Sequence, residues 1–232
     1  VPPYKRSYTL RRIWLNKEEE RGYYYGFSNR ALWPLCHIAY TRPVFDAADW
    51  EQYARVNARF AEAVLEEIDG APAIVLVQDY HFALLPRIVK TRRPDAIISH
   101  FWHIPWPNRE AFRICPWQEE ILDGLLGSDL LGFHVQLHCN NFLETVDRLI
   151  ESRVDYEQFS ATRGSHVTNV RPFPISIDME GISQNGVRRS DVQAFRERVG
   201  LHDDWALAVG VDRLDYTKGI PERFRAVDRF LE

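Results

Sequence analysis

The sequence predicts an α/β protein built on parallel sheets, and three observations carry that prediction. Short apolar runs alternate with amphipathic helical stretches along most of the chain. The run Ala73-Ile74-Val75-Leu76-Val77 lacks the apolar-polar alternation of a half-solvated strand, which is the pattern of a parallel strand covered on both faces. Polar, chemistry-bearing residues follow such runs at once: Gln78-Asp79-Tyr80-His81 after the first, and Asp212 to Gly219 after the run Trp205 to Val211. In open α/β sheets ligands bind at the carboxyl ends of the strands, so these are the places to look for function.

The totals bound the reading. A chain of 232 residues holds one large domain, or one domain and part of another. With 45% hydrophobic and 27% charged residues the composition is that of an ordinary globular protein. A net charge of -4 argues against nucleic acid, which demands a basic excess. No apolar run approaches the roughly 18 residues that span a bilayer, and no signal-peptide pattern is visible. Cys36, Cys115 and Cys139 are odd in number and lack metal-ligand spacing, so they read as reduced, buried thiols of a cytoplasmic protein. Thirteen per cent aromatic content with seven Trp fits both a ring-rich core and a sugar site.

Taken in order, residues 1 to 22 turn from basic to acidic at Glu18-Glu19-Glu20 without a clear period and are expected as strand and loop. In the aromatic block Tyr23 to Pro34, Pro34 is expected to prevent one long helix, and the rings read by default as a core patch. Between Trp50 and Asp69 the residues Tyr53, Val56, Phe60, Val64 and Ile68 recur at helical spacing, with Asp49 as expected N-cap and Gly70 as C-cap. Pro72 then opens the first strand. Asp79, at its carboxyl end, is a natural acceptor for sugar hydroxyls, because charge-assisted hydrogen bonds are strong. A helix over 84–90 ends in Lys90-Thr91-Arg92-Arg93, the cations a helix C-terminus favours.

Residues 96–100 predict the second strand, which runs into Phe101 to Asn108. Pro105 and Pro107 fix that loop and with it His103, at the same sheet edge as Asp79; position alone leaves a structural and a functional histidine equally open. A helix over 116–126, a strand over 130–133 and a helix over 135–150 through Leu137, Phe142, Val146 and Leu149 come next. His134 and His138 stand four apart, but no Glu lies between them in zinc-protease register and no third ligand is evident, so no metal is expected. Residues 153–164 are expected to loop out, and His166 to Val170 to form an alternating strand. Pro172 and Pro174 then mark the crossover from a domain at 1–174 to a second at 175–232. In that second part Ser190 is expected to cap a helix over 191–199 closed by Gly200, followed by a strand over 205–211. Arg213 and Lys218 sit in the loop beyond it, where a phosphate or diphosphate would bind; on residue type alone, two solvated loop cations is the simpler reading.

Resemblance adds to this. Residues 213–224, RLDYTKGIPERF, resemble the RxDYxKG-[IL]-PxR signature of the trehalose-6-phosphate synthase family of retaining glycosyltransferases. The Tyr24 to Pro34 segment is similar to the family's YxxFSNxxLWP, and Val77 to Pro86 to W[VI]HDYHLxxLP. Phe101 to Phe112 is similar to FFLHIPFPxxExF, Pro116 to Phe133 to LPWxxEIxxxLLxxDLxGF, and Pro174 to Asp178 to PIGID. The motifs stand in the family's order over nearly the whole chain.

That resemblance implies the GT-B fold: two Rossmann-like, doubly wound parallel-sheet domains facing each other across a cleft, the second truncated here. Because the chain begins at Val1 and ends at Glu232 inside an expected helix, it reads as an internal fragment, inactive alone. The implied reaction transfers glucose from a nucleotide-glucose, UDP-glucose foremost, to glucose 6-phosphate with retention, giving trehalose 6-phosphate in the cytoplasm. By the same resemblance His103 lies against the transferred glucose, Arg213 and Lys218 hold the donor diphosphate, and Tyr24, Trp33 and Asp79 bind the acceptor. No cofactor or metal is implied. The partners are the nucleotide-sugar donor and the sugar-phosphate acceptor, without nucleic acid or membrane, and a homo-oligomer is left open. Departures from the family pattern include Gln78 for the commoner His, Trp102 and Trp106 for Leu and Phe, and Ser176 for Gly. Trp106 leaves room for a sister enzyme acting on glycerol 3-phosphate or a cyclitol phosphate. A sugar-phosphate sensor without turnover is the remaining alternative.

Overall fold

The computed structural model describes residues 7–38, 41–184, 186, 188–202 and 204–232, so the first six residues of the expected amino-terminal strand and loop lie outside the described residues. The chain falls into two compact units, Val1–Pro174 and Ile175–Glu232.

In the first unit, six strands form one sheet in the order β1-β2-β3-β6-β5-β4. They are β1 (Ile74–Gln78), β2 (Ile97–Phe101), β3 (Leu130–Phe133), β4 (Arg153–Asp155), β5 (Ser160–Arg163) and β6 (His166–Pro172). The pairs β1-β2, β2-β3 and β3-β6 are parallel, while β5 joins β6 and β4 joins β5 antiparallel. The sheet is therefore mixed rather than purely parallel. The polar 153–164 stretch, expected to loop out, instead supplies the antiparallel hairpin, because its backbone extends the open edge of β6. Register matters for function: Gln78 pairs with Phe101 and Phe101 with Gly132, so β1, β2 and β3 end level and their following loops rise from one row.

The amino-terminal stretch departs most from expectation. A single helical run begins at Lys17–Glu19, capped by Asn16 and Glu19 in a reciprocal box, widens into π-type turns over Glu20–Leu32, and returns to α over Trp33–His37. Pro34 does not break it. The carbonyl four residues back, Arg30 O, receives its hydrogen bond from Val44 N–H at 2.9 Å, which replaces the donor that proline lacks. Gly22 and Gly26 let this helix lie directly on the Ala47–Ile68 helix: a Cβ at Gly22 would stand 2.7 Å from Gln52 Cβ, and one at Gly26 would stand 2.3 Å from Asp49 Cγ. That second helix starts earlier than predicted, with Asp46 rather than Asp49 accepting the capping N–H from Ala48.

Trp102, Trp106, Tyr53, Phe27, Phe112, Phe133 and Phe142 are all fully buried in the main core, and the three cysteines are buried and free. Val77, Leu85, Val89 and Ile98 form a second cluster beneath β1 and β2. The expectation that the first strand is covered on both faces fails, because Ile74 and Leu76, on the face opposite Val77, are each 70% exposed. Leu137, counted on the buried stripe of its helix, is likewise exposed. Lys90 does more than complement a helix end. Its Nζ donates to both carboxylate oxygens of Asp129 at 2.8 Å and to Ala96 O, while Asp129 Oδ2 accepts from Ile98 N–H, which braces the start of β2.

The second unit contains helices at Met179–Gln184, Arg189–Arg198 and Ile220–Leu231, and a 3-10 turn at Tyr216–Lys218. The middle helix opens at Arg188, with Ser190 inside its first turn rather than capping it. The predicted strand over 205–211 does not form among the described residues: no strand lies in 175–232 to share a ladder with it. No helix among the described residues is long and apolar enough to cross a membrane.

Candidate functional site

The level ends of β1 and β2 put Asp79 and His103 side by side. Asp79 has φ 71° and ψ 172°, backbone that glycine tolerates and other residues enter only at a cost of about 1–3 kcal/mol. What holds it there is a set of hydrogen bonds on every side. Its N–H donates to Phe101 O at 2.7 Å, and its carbonyl accepts from His100 Nε2 at 3.0 Å. Its Oδ1 accepts from the Tyr80 N–H at 2.9 Å and from the His103 N–H at 3.2 Å. Oδ2 has no protein partner among the described residues. One oxygen thus ties the two loops together, and the other stays available as a hydroxyl acceptor.

The buried His100 is what fixes the Asp79 carbonyl. Its Nδ1 is buried without a partner, and burial holds the ring neutral, with its pKa lowered to about 4. A proton on Nδ1 would be an unsatisfied donor in the core.

His103 itself is exposed. Its Nε2 lies 2.8 Å from Gln78 Oε1, and its ring meets Phe101 edge-on with centroids 4.6 Å apart. His134, from the loop after β3, stands 5.6 Å from it, centroid to centroid. His134 and His138 each keep a buried, unpartnered Nδ1. Among the described residues no trio of His, Cys, Asp or Glu gathers to hold a metal.

The aromatic helix closes on the same loop from the other side. Tyr24, 42% exposed, stacks on His81 at 5.5 Å and 12°. Trp33 lies 5.9 Å from the Tyr80 ring, and the Tyr80 hydroxyl donates to Asn29 Oδ1 at 2.9 Å. Burial lowers the pKa of His81, against an opposing pull from Asp79, so it stands in the cluster as a neutral ring. Tyr24, Trp33, Asp79 and His103, predicted as site residues, therefore converge on the loop after β1. Gln78 and His81 complete the group; the sequence named both within a motif without assigning either a role. Their signal was position, each one or two residues from Asp79.

Trp106 belongs elsewhere. It is fully buried, with Nε1–H donating to Thr145 Oγ1 at 3.1 Å and its ring against Phe112 and Phe142. A residue sealed in the core does not line an open sugar site, so the feature that left room for a different acceptor is a packing substitution.

Arg213 and Lys218 lie in the second unit and are described within it alone. Both are exposed, and neither has an ion pair among the described residues. Asp215 between them caps the Tyr216–Lys218 turn through the Thr217 N–H and hydroxyl. That hydroxyl first, and the two cations after it, hold the Asp215 carboxyl below the usual carboxylate range. The neighbouring Arg223 is already engaged, donating to Asp212 Oδ2 at 2.6 Å. The segment therefore offers two uncommitted cations beside a committed one.

The chain is similar to known proteins over nearly its whole length. The family model for glycosyltransferase family 20 matches residues 2–232. A trehalose-6-phosphate synthase of Mycolicibacterium vanbaalenii is 41% identical over 97% of this chain and 47% of its own length. The Mycobacterium leprae protein of the same name is 40% identical over 96% and 46%. Among solved structures, an α,α-trehalose-phosphate synthase (UDP-forming) from Burkholderia xenovorans in complex with glucose-6-phosphate superposes with a TM-score of 0.82 at 28% identity, over 93% of this chain and 48% of that one. An Escherichia coli structure bound with UDP-2-fluoro glucose gives 0.78 at 29%, over 91% and 46%. The chain spans about half the length of the curated relatives it matches.

Proposed function

This chain belongs to glycosyltransferase family 20, and we propose on that premise that it serves the transfer of glucose from a nucleotide-glucose, UDP-glucose foremost, to glucose 6-phosphate, with retention, giving trehalose 6-phosphate. The relatives' names and the ligands in the solved neighbours support that choice of donor and acceptor. The observation that carries the reading is Asp79: a strained aspartate at a strand end, with one carboxylate oxygen spent on the His103 loop and the other open.

In this reading residues 1–174 form the acceptor-side domain and 175–232 begin the nucleotide-sugar domain. Asp79 accepts a hydroxyl of the acceptor sugar, with Tyr24 and Trp33 as its apolar walls. His103 binds a hydroxyl of the transferred glucose. The transition state resembles an oxocarbenium ion, with negative charge growing on the departing diphosphate, and Arg213 and Lys218 stabilise that charge without a metal. A leaving-phosphate oxygen takes the acceptor's proton on the same face, so no enzymic carboxylate nucleophile of the kind used by two-carboxylate retaining hydrolases is required.

The test is nucleoside-diphosphate release by a chimera in which residues 1–232 replace the matching portion of a 41% identical relative. UDP-glucose is the donor, and glucose 6-phosphate or glycerol 3-phosphate is offered in turn. Release that depends on glucose 6-phosphate supports the proposal; release with glycerol 3-phosphate alone moves the protein to a sister activity. Titrating glucose 6-phosphate into the 232-residue chain gives an independent check, because resonance shifts should centre on Asp79 and Tyr24.

A further inference from the structure

The site holds one contact for which the glucosyl-transfer reading has no use as it stands: the side chain of Gln78 against the ring of His103. Gln78 is the last residue of β1, and the β1-β2 register brings it level with Phe101, two residues before His103. At that place its Oε1 lies 2.8 Å from His103 Nε2. A carboxamide oxygen only accepts, so the nitrogen facing it carries the hydrogen. The remaining constraints fix the ring's plane without choosing its tautomer: Phe101 meets it edge-on, His134 stands beyond, and the His103 main-chain N–H is tied to Asp79 Oδ1. Of the groups around the imidazole, Gln78 is the one that distinguishes its two nitrogens.

We propose that Gln78 is a positioning residue for His103: it holds the ring in the Nε2–H form, so that His103 presents Nδ1 as an acceptor to a hydroxyl of the transferred sugar. This rests on the glucosyl-transfer reading only for the identity of that hydroxyl. A sugar hydroxyl that donates to Nδ1 has its own lone pairs turned away from the ring, which sets the direction of the rest of its hydrogen bonding. A histidine, the family's commoner residue at position 78, and a carboxamide can each offer a donor or an acceptor; in this structure it is the Gln78 oxygen that faces the ring, and that orientation sets the tautomer.

Nitrogen-15 spectra of ring-labelled 232-residue chain test this without substrate, at about pH 8.5, well above the ordinary histidine pKa of roughly 6.5. His103 is assigned by its loss in His103→Gln. In the wild type His103 should show the Nε2–H form in roughly fivefold excess, with slowed exchange of that proton, the preference that one net hydrogen bond sets. Gln78→Leu should lose the slowed exchange and relax the ratio. Gln78→Glu, which keeps an acceptor oxygen, should restore both, and Gln78→Lys, which offers only donors, should favour Nδ1–H. His100, bonded to the Asp79 carbonyl, serves as the internal control: its ring signals should stay unchanged in all three variants, as a preserved loop requires. An Nδ1–H wild type, or a ratio indifferent to Leu and Lys while His100 is unchanged, overturns the proposal. Either result would leave the transfer reaction itself to be judged by diphosphate release.

Discussion

Two stretches of this chain carry the same sequence signal and fold differently. Ala73 to Val77 and Trp205 to Val211 are both apolar runs followed directly by polar, functional residues. The first becomes β1, with all five of its residues registered against β2. The second stays irregular, held by Arg196, which donates to the carbonyls of His202 and Trp205, and by the Arg223–Asp212 pair. Val77 is 4% exposed and Val211 is 89% exposed. An apolar run is thus only half of a strand: its backbone needs a neighbouring ladder, and its side chains need a second layer. The first unit supplies both, whereas no residue described in Ile175–Glu232 is buried.

The largest expected effect tests whether the irregular stretch nevertheless carries chemistry. Arg213→Ala in the chimera should lower turnover by roughly a hundredfold or more, the scale for removing one group that stabilises developing charge. Diphosphate release measures it, and near-normal turnover would remove Arg213 from the clamp and leave the loop's cations as solvated charges.

The ordered region should betray itself through pH. His100 is neutral in the fold, with its pKa lowered to about 4 from an ordinary value near 6.5, so the unfolded chain takes up its proton first as pH falls. The stability His100 permits is complete above about pH 6.5 and is lost as the pH falls to about 4, by about 3 kcal/mol in all. Denaturant melts of the wild type and of His100→Gln across that window read it: the wild type should lose stability more steeply. Parallel curves would mean the ring is not the sensor that the Asp79 loop depends on.

The comparison itself is broken or sharpened by one pair of valines. Val77→Ala removes two buried methyl groups from the cluster with Ile98, Leu85 and Val89, and should cost about 2 kcal/mol. Val211→Ala should stay within about 0.5 kcal/mol, because nothing is packed on it to lose. Equal costs in urea unfolding would show that the second stretch has a partner layer after all.

Much of the first unit was legible because its signals are local. The strand at Leu130–Phe133 and the helices on either side follow from periodicity within a dozen residues. Asp79 and His103 were legible as site residues because each stands just past a strand end. Most of what escaped needed information from far along the chain. The helix through Pro34 exists because Val44 satisfies Arg30 O. The 153–164 strands escaped for another reason: β6 follows them at once, with Arg163 paired to His166, but their polar composition carries no apolar run to mark them as strands. The Lys90–Asp129 brace joins residues 39 apart, and Gln78's hold on His103 spans 25. None of these partners is visible in the periodicity or composition of its own segment.

Trp106 bears on a point of substrate choice. In sequence it is a bulky departure beside His103, which suggests a reshaped acceptor site; in the fold it is sealed among Phe112, Phe133 and Phe142. Trp106→Phe restores the residue the resemblance leads one to expect. It gives up the Nε1–H bond to Thr145 and some packing, so the chain should lose about 1 kcal/mol of stability, since the Thr145 hydroxyl keeps its bond to the Asn141 carbonyl. In the chimera the ratio of turnover with glucose 6-phosphate to turnover with glycerol 3-phosphate should not move. A residue that shaped the acceptor pocket would change that ratio at little cost in stability, and a core residue does the reverse, so the two measurements on one variant separate the roles.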